Sequence, residues 1–423
     1  RMYLHAELIL YNGAIHTMDP LHPAAEAVAV ADGRILAVGQ LEDVEATAHA
    51  NTRRLDLAGR TLIPGFNDAH AYLWQTGMLL LGRQDALSSG IPPADAESEA
   101  AILAAAKAFL QMGITSLTEA GASPAQLDTY RRLAAERRMP LRINVMACRY
   151  LSDGTKVPLP ERFESNWLRI DTVKLVADGS LDSGEAALSL PYLPEAGGEP
   201  GTGGRLRATA DQMRAMIWDI HRAGLRAAIQ ATGDAAIEQV IEATEYASKR
   251  LVSRMKHRIE GFGVPGSDHL RRCRYRISVV LPAAVLHRLT AATLKRVPPE
   301  KASGLYPLRT LLDAGLTAAL GSGVPDPVEA NPLLVLKTAA ERRNADGAPV
   351  APEQAVPVAE ALPLVTLGGA VVAGEDHLKG SISPGKYADF AVLSGDPLRA
   401  PVERLTDLQV EMTLVNGQVV YTT

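Results

Sequence analysis

Cysteine, long apolar runs and blocks of basic residues are all scarce in this chain, and each scarcity removes a class of protein. Only Cys148 and Cys273 occur among 423 residues, far apart and without CxxC spacing. Neither a disulfide framework nor a thiolate zinc site follows from them, and both are expected as buried free thiols. No apolar run approaches the roughly 18 residues that a membrane span needs, and Arg1 to His5 show no basic region leading into an apolar core. A cytoplasmic protein without membrane partners is therefore expected. No Lys/Arg block is long enough to track phosphates, and the formal net charge is -5, so nucleic acid is not an expected partner.

What is present suits an ordinary soluble protein rather than a disordered one. Hydrophobic residues make up 47% and charged residues 22% of the chain, an ordinary balance with both signs interspersed. The length suits one α/β barrel plus a smaller domain. Both ends carry short apolar runs broken by turn signals: Leu8 to Tyr11 before Asn12-Gly13, Ala27 to Val30 before Asp32-Gly33, and Val410 to Val415 before Asn416-Gly417. Asn-Gly and Asp-Gly in such places predict hairpins, because type I′ turns need positive φ at both central residues. Residues 1–61 and 366–423 are thus expected to form one discontinuous β-sandwich domain.

Between them, residues 62–365 alternate strand-like runs with helical patterns, the mark of a parallel sheet wrapped by helices. Eight runs qualify as strands, starting at Leu62, Ser116, Arg142, Thr172, Arg226, Lys256, Ile277 and Thr317. They predict an α/β fold, an eightfold β/α (TIM) barrel, whose chemistry lies at the carboxyl ends of the strands. Ala100 to Met112, Ala210 to Ala223 and Ala235 to Lys249 read as helices between them.

Five motifs occur in order: Thr61-Leu-Ile-Pro-Gly-Phe-Asn-Asp-Ala-His70, Val173-Lys-Leu-Val-Ala-Asp-Gly-Ser180, Thr232-Gly-Asp234, His257-Arg-Ile-Glu260 and Lys379-Gly-Ser-Ile-Ser-Pro-Gly-Lys-Tyr-Ala-Asp-Phe390. Together they resemble the amidohydrolase superfamily, in the branch of exoenzyme-like and formamide-deformylase-like hydrolases, over almost the whole chain. The resemblance implies hydrolysis of an amide-like carbon-nitrogen bond by two divalent metals that lower the pKa of a bridging water. It also implies a His-X-His after the first strand, a carboxylated Lys after the fourth, single His residues after the fifth and sixth, and an Asp after the eighth. His70 and Lys174 match those positions. The others fall on Tyr72, Gln230, Gly261 and Gly323. Four of six ligands are replaced by poor donors, so the expected cofactor set is none, and the lysine carbamate, without cations to bridge, reverts to a free amine.

These residues leave alternatives open. Lys174 and His70 are the candidate catalytic, proton-transfer groups, while Tyr72, Gln230, Asp178, Glu119, Gly261 and Gly323 shape a substrate pocket. Equally, Lys174 pairs with Asp178 or Glu119 as a relic, and His70 is a satisfied core histidine. The two glycines predict a void at the pocket floor that fills with water or ligand. The Gly-rich run 197–204 reads as a lid or an inert connection, and the Arg271 to Arg276 cluster as solvated surface. Three functions follow: a small-molecule enzyme that works on an activated carbon-nitrogen bond without the metal pair, an inactive ligand-binding member of the family, or a hydrolase with a single metal. A homodimer is left open.

Overall fold

The computed structural model describes residues 5–85, 95–194 and 201–423. Its strands run in chain order as β1 (Leu8–His16), β2 (Ala24–Ala31), β3 (Arg34–Gly39), β4 (Arg53–Asp56) and β5 (Thr61–Pro64), then β6 (Phe66–Ala71), β7 (Ile114–Ala122), β8 (Arg142–Cys148), β9 (Phe163–Glu164), β10 (Leu168–Val176), β11 (Arg226–Ala231), β12 (His257–Gly261), β13 (Ile277–Pro282) and β14 (Ala318–Gly321). β15 (Phe390–Leu393), β16 (Val410–Val415) and β17 (Gln418–Thr422) complete the chain.

Turn chemistry builds the first sheet. Asp32 and Gly33 have φ of 50° and 69°, and Asn416 and Gly417 have 51° and 70°, so each pair closes a hairpin as its sequence predicts. Asn12-Gly13 does not. Asn12 has φ of 61°, but β1 runs on through it with a bulge between Tyr11 and Ile15. Gly13 is needed there because a Cβ would stand 2.3 Å from the Arg60 carbonyl. The strands from both ends join in the order β17-β16-β15-β5-β1-β2-β3, with β4 against β1. Alternation sorts the faces: Val28 and Val30 pack with Leu8, Leu10, Phe390 and Leu414, while Ala27 and Ala29 pack with Ile9 and Val44.

Leu62 and Ile63 belong to this sheet rather than to the first barrel strand. They pair antiparallel with Val392 and Ala391 of β15. Two apolar runs meet at Gly65, where a Cβ would overlap the Thr115 side chain, and a hydrophobic pattern does not say which sheet each run joins. The barrel begins instead at β6. The remaining strands follow the expected runs, in the parallel order β14-β13-β12-β11-β10-β8-β7-β6, with β9 paired to β10 outside that path. Helices Pro124–Ala135 and Ala210–Arg222 open with capping boxes, Ser123 with Gln126 and Thr209 with Gln212, each satisfying backbone N–H groups that the first turn leaves free.

Between β14 and β6 the barrel closes on a few specific contacts. Gly323 N–H donates to the His70 carbonyl (2.9 Å). The Asp68 Oδ1 accepts from Ser322 N–H and from His70 N–H, both at 3.0 Å. Close approach requires Gly321, where a Cβ would lie 2.6 Å from His70 N. Replacing Asp68 with Ala strands two buried donors, so Asp68→Ala is expected to destabilise the chain by about 2–4 kcal/mol in urea unfolding. Asp68→Asn, which keeps the acceptor, should cost clearly less.

Candidate active site

Strand period brings the candidate residues to one end of the barrel. His70 ends β6, Lys174 lies near the end of β10, and Gln230 lies near the end of β11. Arg258 and Glu260 stand two apart on β12 and so share a face. That face is the barrel interior, because Glu260 reaches across to His70.

His70 Nδ1–H donates to Glu260 Oε2 at 2.7 Å. Arg258 donates to both carboxylate oxygens, Nε to Oε1 at 2.6 Å and a terminal nitrogen to Oε2 at 3.1 Å, and also to the Ala69 carbonyl at 2.8 Å. Arg258 and Glu260 are 1% and 2% exposed. Burial alone works against ionising Glu260, yet Arg258 and His70 outweigh it and hold its carboxyl at about 2. Burial likewise disfavours the His70 imidazolium and outweighs the pull of Glu260, so the ring's pKa falls below its ordinary value. A neutral ring with its Nδ1 proton on Glu260 leaves Nε2 as an acceptor, and the Tyr72 hydroxyl donates to it over a long 3.4 Å.

Lys174 Nζ sits 5.4 Å from the centre of the Tyr72 ring. The ion pairs with Asp178 or Glu119 that the sequence left open are not formed. Glu119 accepts from Trp74 N–H (3.1 Å) and the Tyr130 hydroxyl (2.9 Å), and burial pushes its carboxyl to about 7. Asp178 accepts from the backbone N–H groups of Ala187, Thr232 and Gly233 at 2.8–2.9 Å, and burial raises it to about 6. It thereby ties the loop after β10 to the end of β11. Gln230 makes one long contact, Nε2 to the Asp178 carbonyl at 3.4 Å. Cys148, read from sequence as a buried thiol, is half-buried and neighbours Lys174: a Cβ on Gly121 would meet Cys148 Sγ at 3.2 Å and Lys174 Cδ at 3.5 Å.

The two glycines behave differently from one another. At Gly261 (φ 108°) a Cβ would find ordinary contacts at 3.4 Å, so space exists. At Gly323 (φ 75°) a Cβ would meet Pro282 at 2.4 Å. The expected void is therefore not found at Gly323, because Pro282 fills it. Within the Gly-rich run, residues 197–200 lie outside the described residues. Of the basic cluster, Arg271, Arg274 and Arg276 are exposed, whereas Arg272 is paired with Glu238 and Glu245.

This donor set does not fit a pair of divalent cations. His70 offers Nε2 alone, since its Nδ1 is held by Glu260, Asp178 is committed to three backbone amides, Glu119 Oε2 to Trp74 and Tyr130, and Gly261 and Gly323 offer no side chain. Among the described residues no three His, Cys, Asp or Glu side chains are grouped to hold a metal ion. The sequence motifs contain Glu260, Arg258 and Asp68 but assign none of them a role at the site. The Arg-X-Glu spacing on a barrel strand was the available signal.

Comparison with known proteins accords with this architecture. The family model described as the amidohydrolase family matches residues 72–421, and the chain belongs to that family. YtcJ of Bacillus subtilis, named as an amidohydrolase, is 27% identical over 82% of this chain and 66% of its own length. The N-substituted formamide deformylase of Arthrobacter pascens is 26% identical over 74% and 58%. The chain thus spans about three fifths to two thirds of these two relatives. An imidazolonepropionase of Porphyromonas gingivalis is 26% identical over 97% of this chain and 92% of its own. Among solved structures, an uncharacterized metal-dependent hydrolase from Pyrococcus horikoshii superposes with a TM-score of 0.78 at 21% identity, covering 94% of this chain and 99% of that one. At that identity the likeness establishes the barrel and terminal sheet alone.

Two outcomes follow from the buried charges. Removing the guanidinium in Arg258→Met leaves Glu260 buried without its cation, and unfolding should show a loss of about 3–5 kcal/mol. Glu119 holds its proton in the folded chain up to about 7, whereas the unfolded carboxyl releases it near its ordinary value of about 4.3. Its contribution is fully present below that unfolded value and fades as pH rises through 7. Glu119→Gln should therefore flatten the decline in the urea midpoint between about pH 4.3 and pH 7; an unchanged slope would contradict the assignment.

Proposed function

We propose that this protein is a small-molecule enzyme that cleaves an activated amide-like carbon-nitrogen bond without the metal pair of its family. The Arg258, Glu260 and His70 chain carries the reading. Arg258 keeps Glu260 ionised, Glu260 orients the ring, and Nε2, held only by its long contact with the Tyr72 hydroxyl, is a general base, the logic of a base held by a third group. Nε2 takes a proton from water as that water adds to the carbonyl, then returns it to the departing nitrogen as the carbon-nitrogen bond breaks. Lys174 supplies fixed positive charge beside it, and Tyr72 and Gln230 line the approach.

Such a site sets a limit on substrates. A metal brings the pKa of bound water from 15.7 to about 7, which an imidazole does not match. The carbonyl must be electrophilic or the leaving amine good. A formyl group on an electron-poor aniline meets both demands, and it accords with the deformylase among the relatives.

The test is hydrolysis of 4-nitroformanilide and formanilide by protein prepared without chelator and analysed for metals. Faster turnover of the nitro compound, survival after chelation, and less than one metal per chain are expected. His70→Gln should lower kcat/KM by about 10²–10⁴-fold. Because burial lowers the His70 pKa, the acid limb of kcat/KM should fall below the ordinary imidazole value of about 6.5, with loss of activity as pH drops through it. A stoichiometric zinc, manganese or iron with activity lost on chelation overturns the proposal. No turnover of either anilide favours a ligand-binding member that does no chemistry.

A further inference from the structure

The accessible floor of the barrel mouth offers hydrogen-bond donors and no free carboxylate. Tyr72, Cys148, Lys174 and Gln230 are half-buried there, whereas Glu119, Asp178 and Glu260 are buried, Glu119 Oε2 accepting from Trp74 and Tyr130, Asp178 from three backbone amides, and Glu260 from Arg258 and His70. On the loop after β10, Asp182 accepts from the Thr293 hydroxyl and Glu185 pairs with Arg207. No carboxylate pairs with Lys174 among the described residues. Its ammonium lies 5.4 Å from the centre of the Tyr72 ring, with Glu119, Cys148 and His70 within reach of its field but none of them in ion-pair contact.

A half-buried cation without a counter-ion is an incomplete pair, since desolvation has been partly suffered and the compensating attraction is missing. A ligand anion completes it. We propose that the barrel mouth binds its ligand through a carboxylate, held by Lys174 as an ion pair, with the Tyr72 hydroxyl and the Gln230 carboxamide as flanking donors. Strand register supports the grouping: Lys174 pairs with Ala228 and Val176 with Gln230, so Gln230 stands two residues nearer the mouth on the adjacent strand. Tyr72 places His70 on the far side of the same patch, its Nε2 at 3.4 Å from the hydroxyl. A carboxylate on Lys174 therefore sets the rest of the ligand beside the base. The inference rests on the preceding reading of Lys174 as a free ammonium, and it names the substrate class for that site: amides that also bear a carboxylate.

Titration of the full chain with benzoate and with benzamide, its neutral isostere, tests this by binding alone. Benzoate should bind about tenfold or more tightly than benzamide at low ionic strength, an advantage that shrinks as added salt screens it. Chelation should leave it unchanged, Lys174→Arg should retain it, Tyr72→Phe should weaken it a few-fold, and Lys174→Met should abolish it, with thermal melts confirming that each variant folds. Equal affinity for the two probes, no measurable benzoate binding, or an undiminished preference in Lys174→Met overturns the proposal. Loss of benzoate binding on chelation also overturns it, by assigning the anion to a metal. His70→Gln separates the two readings, since it should remove anilide turnover and leave benzoate binding intact.

Discussion

One buried ionic chain holds the working end of this barrel together. Arg258 and Glu260 come from β12 and His70 from β6, 190 residues away from Glu260 in sequence, and the three lock strands that share no ladder. Burying two charges is unfavourable unless every lone pair and proton is met, and here Arg258 serves both carboxylate oxygens as well as the Ala69 carbonyl. The same arrangement fixes chemistry. An acceptor as acidic as Glu260 dictates which nitrogen of His70 carries the proton, and thereby which nitrogen faces Tyr72.

The rest of the mouth is organised around that clamp. Asp68 receives the amides of His70 and Ser322, so the strand that carries His70 is stitched to β14 by its backbone while the His70 ring is held by β12. Asp178 does similar work opposite, gathering three amides from the loop after β10 and the end of β11. Carboxylates that a metal centre would draw inward are instead turned toward backbone N–H groups, an arginine or a tyrosine. What is left for solvent is a patch of donors around Lys174.

Gly261 and Gly323, where the family resemblance implies a His and an Asp, have two distinct physical meanings. Gly323 takes a left-handed conformation against Pro282, so an aspartate there would need both an unfavourable φ and a displaced proline. Gly261 has room for a Cβ but also a left-handed φ, which side chains rarely adopt. Regaining the ligands of the family would thus demand backbone changes and not only new side chains. The fold is shared with a solved structure at 21% identity, and a shared scaffold does not fix the chemistry grafted on it.

Much of the architecture was legible locally. Asp32-Gly33 and Asn416-Gly417 make their hairpins because both residues of each tolerate positive φ, and the barrel strands from β7 to β14 follow their apolar runs because burial depends on side-chain pattern. Asn12-Gly13 misled, since the same pair also suits a bulge where Leu57 to Arg60 crowds the backbone, and Leu62-Ile63 misled because two sheets compete for one apolar stretch. By itself, then, the sequence determined the fold class, the family and the positions of His70 and Lys174. Only the tertiary structure decided that Glu260 orients His70, that Asp68 closes the seam, and that Lys174 has no carboxylate partner among the described residues. Those facts depend on which distant groups arrive within hydrogen-bonding distance, and pairing across a barrel is set by strand order and register, which no local pattern encodes.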